Sequence, residues 1–213
     1  MNYIIEILKS LLIKTFLYKH VRWAYRKIIG VKMHPLQEIR TKKGFNYKRL
    51  GSGYGGWDFI HNEELYNSII ISAGLGEDAS FDVEFANKYN SHIIIIDPTP
   101  RAINHFEKIL NNLGNTQTIN HVNKGAQTIS SYNLSNLSKD NFTFIKKALY
   151  NSETTLKFYE PANPEHVSHS ISNFQNNYSN KGSYIKVRTT TVKNILDNLK
   201  IDYNKIQLIK LDI

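Results

Sequence analysis

Three acids and two glycines carry the first chemical signal in this chain. Gly74-Leu75-Gly76 is followed at once by Glu77 and Asp78, and a further carboxylate, Asp97, stands about twenty residues on. Each group follows an unbroken apolar run, Ile69-Ile70-Ile71 before the glycines and Ile93-Ile94-Ile95-Ile96 before Asp97. Such runs are the pattern of strands buried on both faces of a parallel sheet. Glycines after a first strand let a ligand approach the backbone, and an acid ending the second can accept both hydroxyls of a ribose. The set therefore predicts a nucleoside site in an α/β domain.

Two cofactor classes use such a site. Gly74-Leu75-Gly76-Glu77-Asp78-Ala79 also reads as G-x-G-x-x-A, a dinucleotide pattern, and an NAD-type oxidoreductase is one alternative. A dinucleotide must set its pyrophosphate on the helix N-terminus, where Glu77 and Asp78 would repel it. S-adenosylmethionine brings a sulfonium and an ammonium and no phosphate, so the same acids favour it. Gly74, Gly76 and Glu77 are then expected along its methionine part and Asp97 on its ribose. A glycine turn with no ligand at all is the plain structural alternative.

Methyl transfer from a sulfonium is a displacement in which the protein aligns acceptor, methyl and sulfur, and a hydroxyl acceptor gains from a base. Ligands in open α/β sheets sit at the carboxyl ends of strands. Asp212, ending the apolar run Ile206–Leu211, meets that condition, and His166 and His169 lie in a long loop that can reach the same mouth. Two imidazoles at this spacing can share a metal ion, but no third ligand stands nearby and no metal is assigned. Ser170 and Asn173 are hydrogen-bonding candidates for substrate. Tyr54 and Trp57, in Gly51-Ser52-Gly53-Tyr54-Gly55-Gly56-Trp57, are placed to stack on a ligand as part of a flap or to cap the core.

The elements that must position these residues follow from pattern. A helix is expected from Asp78 to Tyr89, with Phe81, Phe85 and Tyr89 facing the sheet, and a second after Thr99 and Pro100. Phe142–Leu149 is expected as the third strand, Thr155–Tyr159 with Tyr184–Arg188 as a strand pair, and a short helix after Thr191. Ile206–Asp212 is expected as a fourth buried strand. The predicted fold is a doubly wound, mostly parallel α/β sheet in the order third, second, first, fourth, preceded by a helical extension.

Charge divides the 213 residues unevenly. Residues 1–50 hold twelve Lys/Arg and two acids, a formal +10, whereas residues 51–213 hold fifteen and sixteen, a formal −1. The near-neutral body argues against a nucleic-acid groove. Residues 3–29 read as one long helix with apolar positions all round, interrupted by Lys9, Lys14, Lys19, Arg22, Arg26 and Lys27. These charges are too frequent for a membrane span, and no signal-peptide cleavage pattern follows. The helix either lies on an anionic membrane surface, as a non-catalytic membrane-binding protein would also require, or packs on the domain or a partner. The chain has no cysteine, which excludes disulfides and thiolate chemistry and fits a cytoplasmic protein with peripheral membrane association.

Four segments resemble the FkbM-type methyltransferases. They are Ser72-Ala73-Gly74-Leu75-Gly76-Glu77-Asp78-Ala79-Ser80-Phe81-Asp82, Asp97-Pro98-Thr99-Pro100-Arg101, Phe158 to Ser170, and Leu208-Ile209-Lys210-Leu211-Asp212-Ile213. The resemblance covers roughly residues 50–213, with a basic extension at 1–49. It implies a Rossmann-like sheet and S-adenosylmethionine-dependent transfer to a hydroxyl of a sugar, glycan or polyketide-like small molecule. It also implies cofactor contacts from Ser72, Asp78, Ser80, Phe81, Pro98 and Thr99, and substrate contacts from the loop holding His166 and His169. The family continues past the point matching Ile213, so the resemblance implies a C-terminally incomplete sheet, a fragment or degraded copy of a longer enzyme. Low activity and self-association through an open Ile206–Ile213 edge are then expected.

Overall fold

The computed structural model describes residues 44–115, 120–122, 125–163, 168–178 and 182–213. The helix expected at residues 3–29 lies outside the described residues, as does His166. Phe45–Ile213 form one unit, described below.

Four apolar segments build its central sheet. They are β3 (Ile69–Ala73), β4 (His92–Ile96), β5 (Phe142–Ile145) and β9 (Ile206–Leu211), ordered β5-β4-β3-β9 and parallel throughout. This is the order expected from the sequence. Period-two alternation divides the two central strands between the faces. Ile70, Ile93 and Ile95 pack beneath helices α1 (Ser80–Tyr89) and α2 (Pro100–Leu110), with Phe81, Phe85, Phe106 and Ile109. Ile71, Ala73, Ile94 and Ile96 pack on the other face against Ile195 of α3 (Val192–Leu199). A sheet covered on both faces can afford isoleucine at nearly every position, which is why these strands read as unbroken apolar runs.

The antiparallel pair β1 (Tyr47–Leu50) and β2 (Trp57–Ile60), joined by the glycine-rich segment, precedes the sheet. Phe59 fastens it to α1, with ring centroids 5.3 Å from Phe85 and 6.0 Å from Phe81. A second sheet, β6-β8-β7, comprises β6 (Ala148–Leu149), β7 (Thr155–Tyr159) and β8 (Tyr184–Thr190). Its β7/β8 pair is the antiparallel pair expected.

Three boundaries differ from expectation. The strand expected over Phe142–Leu149 splits in two, because Lys146 and Lys147 turn out of the sheet to meet Glu107 (2.9 Å) and Glu153 (3.5 Å). Its second half, β6, joins the smaller sheet. Helix α1 begins at Ser80 rather than Asp78, whose carboxylate stays outside the helix and accepts the Ser80 N–H at 3.0 Å. Strand β9 ends at Leu211 rather than Asp212 and, among the described residues, pairs with β3 alone, which is the open edge expected. Its buried residue is Lys210, while Ile209 and Leu211 are about half exposed (51% and 52%). None of the described helices is long and apolar enough to cross a membrane.

Candidate functional site

At the carboxyl ends of β3, β4 and β9 lies a cleft of about 1060 Å³. The chain runs from β3 to β4 on one side and returns as β9 on the other, so the cleft opens where the strand order reverses. The glycine turn forms its floor. Gly74 (φ +88°) and Gly76 (φ +58°) both occupy the left-handed region. At Gly74 the need is also steric, because a Cβ there would strike the main-chain carbonyl of Asp212.

Asp97 holds this turn. One carboxylate oxygen accepts the N–H groups of Leu75 (2.9 Å) and Gly76 (3.0 Å), and the other accepts the Thr99 N–H (2.8 Å) and hydroxyl (2.6 Å). The four acceptor positions of an ionised carboxylate are thereby filled by the protein, so Asp97 does not offer the free oxygens that the expected hold on both ribose hydroxyls needs; its carboxylate is engaged in shaping the turn. Thr99 does stand at the N-cap of α2, yet its hydroxyl donates to Asp97 instead of accepting from the helix.

The two acids after the glycines have different occupations. Glu77 pairs with Arg101 at 3.0 Å at the cleft wall. Asp78 is buried and accepts the Ser52 hydroxyl (2.6 Å) and the Gln127 side-chain amide (3.3 Å) on one oxygen. Ser52 Oγ in turn accepts the N–H groups of Tyr54 (3.1 Å) and Gly55 (2.8 Å). Gly55 lies so close that an added Cβ would sit 2.5 Å from Asp78 Cγ. Asp78 thus latches the glycine-rich segment across the start of α1 and leaves Tyr54, 65% exposed, at the cleft rim.

The opposing wall comes from the smaller sheet and its loop. Leu149, Leu156, Phe158 and Ile171 make it apolar, with His169 and Ser170 among them. Ser170 is held by paired main-chain hydrogen bonds with Tyr159 (2.7 and 3.1 Å). Asp212 faces the same cleft, its N–H bonded to the Ala73 carbonyl at 2.8 Å.

Of the residues expected at the site, Tyr54, Gly74, Gly76, Glu77, Asp78, Asp97, Pro98, Thr99, His169, Ser170 and Asp212 line this cleft. Five others do not. Ser72 and Phe81 point into the core between β3 and α1, and Ser80 is buried, its hydroxyl accepting the Ser52 N–H at 2.7 Å. Trp57 packs against the core, and Asn173 engages Asn176 at 2.8 Å within its own loop. Among the described residues no group of three His, Asp or Glu side chains is gathered to hold a metal.

Behind the turn, Tyr132 and His105 support the start of α1. The phenol oxygen accepts the Ala79 N–H at 3.0 Å and lies 2.7 Å from His105 Nε2. Burial pushes the Tyr132 phenol far up and the His105 imidazole down. Tyr132 therefore keeps its proton, and the hydrogen bond joins a neutral phenol to a neutral imidazole.

Sequence reasoning missed Arg101 as a site residue, and also Leu149, Leu156, Phe158 and Lys210. Lys210 left a trace as a charge inside an apolar strand, and Arg101 and Phe158 stood at the ends of segments that carry the resemblance without a role assigned to them. No family model, no characterised protein and no solved structure matches this chain.

Proposed function

We propose that this protein is a Rossmann-like, S-adenosylmethionine-dependent methyltransferase acting on a hydroxyl oxygen of a small molecule or glycan. The observation that carries the proposal is the meeting of the Gly74–Gly76 turn and Glu77 in one cleft of about 1060 Å³ at the reversal of the strand order, room for a donor and an acceptor together. When bound, the cofactor supplies a methyl group on a sulfonium. The chain's own part is to bind, orient and handle a proton. Glu77, held at the cleft wall by Arg101, offers its carboxylate as an acceptor to the ammonium of the donor, and Asp97 shapes the turn beneath it. In this reading Asp212 and His169, which both line the cleft, are the candidates to take the acceptor's proton. The apolar wall of Leu156 and Phe158 shields the transfer from water.

The hydrogen bonding of the turn favours this donor over a dinucleotide. A pyrophosphate needs free N–H groups at the turn and the helix start. Here Leu75 and Gly76 donate to Asp97, Ala79 to Tyr132 and Ser80 to Asp78. Those donors are spent within the protein.

Calorimetry with S-adenosylmethionine, S-adenosylhomocysteine and NAD separates the alternatives. Binding of the two adenosyl ligands with no NAD binding is expected. NAD binding alone would make the protein an oxidoreductase candidate, and no binding of any of the three would return the cleft to a structural role.

A further inference from the structure

Lys210 is the residue of β9 whose burial ordinary packing does not explain. Alternation places it on the face of Leu208, toward α1, and its register partner in β3 is Ser72. Its side chain is 3% exposed and that of Asp82, on α1, 0%. A buried ion pair is a costly way to fill space, and apolar side chains of the same volume commonly serve stability as well or better.

The geometry shows what the ammonium is aimed at. Nζ donates to the Gly74 carbonyl at 3.0 Å but lies 3.5 Å from Asp82 Oδ2. Asp82 Oδ1 and Ser72 Oγ, both buried, have no hydrogen-bond partner among the described residues. The shorter contact is to the turn, and the pairing with Asp82 is left incomplete. A Cβ on Gly74 would meet the Asp212 carbonyl, so the residue that follows β9 runs close beside the same turn. The end of β9 is therefore tied to the glycine turn by a charge-assisted hydrogen bond and leaves room there only for glycine.

We propose that Lys210, held in place by Asp82, is a positioning residue. Its ammonium fixes the Gly74 carbonyl and so sets the path of Leu75–Glu77 across the cleft floor. The consequence for ligand affinity rests on reading the cleft as an adenosyl-donor site; the effect on the turn does not. Docking of β9 onto β3 then shapes the ligand site as well as adding to the sheet.

The test uses the full chain with Lys210→Met/Asp82→Asn, which removes both charges together, and Asp82→Asn alone in case the double variant does not fold. Leu137→Ala, in the core and away from the turn, controls for general destabilisation. Amide hydrogen exchange of the ligand-free proteins is read at Leu75 and Gly76, and S-adenosylhomocysteine affinity is read by calorimetry. Loss of a hydrogen bond from a charged group predicts exchange about tenfold or more faster and binding about tenfold or more weaker in the double variant. A smaller change of the same sign is expected in Asp82→Asn and none at the turn in Leu137→Ala. Turn exchange equal to wild type in whichever variant carrying Asp82→Asn folds, or equal acceleration in Leu137→Ala, overturns the proposal. If wild type fails to bind S-adenosylhomocysteine, the donor assignment falls, while the exchange comparison still decides the role of Lys210.

Discussion

Removing the Asp97 carboxylate should destabilise the protein through the turn, before any ligand is considered. Asp97 is only 5% exposed and accepts from three main-chain N–H groups and one hydroxyl. Asp97→Ala leaves the N–H groups of Leu75, Gly76 and Thr99 without their acceptor. A buried donor stripped of its partner costs about 1–3 kcal/mol, and water entering from the cleft relieves part of this. A total loss of about 3–5 kcal/mol is therefore expected, a large share of the ~5–15 kcal/mol that holds a domain together. Asp97→Asn keeps one acceptor oxygen but turns an amide donor toward other donors, so its loss is intermediate. Thr99→Val removes one donor and should cost about 1 kcal/mol. Urea denaturation of the four proteins gives the ranking directly. An Asp97→Ala protein within about 0.5 kcal/mol of wild type would refute the claim that this carboxylate organises the turn.

Three further outcomes follow from other parts of the molecule. Burial lowers His105, so below its ordinary value of 6.5 the unfolded chain binds more protons than the folded one, and stability falls as pH drops from 7.5 to 5. Urea midpoints should show this slope, at most about 1.4 kcal/mol per pH unit from one group, and His105→Gln should flatten it. The half-exposed Ile209 and Leu211 and the exposed Ile213 leave an apolar strip on edge strand β9. Sedimentation velocity should show self-association of the 213-residue chain that Ile209→Lys reduces; a strict monomer at high concentration would remove the edge as a contact. Residues 1–50, with their formal +10, should carry the chain onto anionic but not neutral vesicles in a salt-sensitive manner. Deletion of residues 1–30 without loss of co-sedimentation would exclude the segment.

The sheet was legible in the sequence because its strands are buried on both faces and thus read as unbroken isoleucine runs. Connections with helices between them then dictated parallel pairing. The glycine turn and Asp97 were legible for a related reason: both must end strands. What sequence could not show was direction. Ser72 and Phe81 sit inside the motif, yet strand alternation turns one and helix phase the other into the core. Asp78 was read as a ligand group because its partners, Ser52 and Gln127, are 26 and 49 residues away. Tyr132 and Gln127 stand in polar sequence without local periodicity, and both are tied to distant residues, Tyr132 to Ala79 and Gln127 to Asp78. Lys146-Lys147 should have marked the end of β5, since two adjacent lysines cannot both enter a sheet interior. Lys210 was passed over as an interruption of an apolar strand, although a buried charge is more informative than the apolar residues around it.

The central claim is that the Gly74–Gly76 cleft binds an adenosyl methyl donor. Titration of isotope-labelled protein with S-adenosylhomocysteine, followed by amide NMR shifts, tests it most directly. The predicted result is saturable shifts concentrated at Leu75, Gly76, Glu77, Arg101 and His169, with none of comparable size from NAD. Shifts clustered away from these residues, or produced by NAD alone, would contradict it.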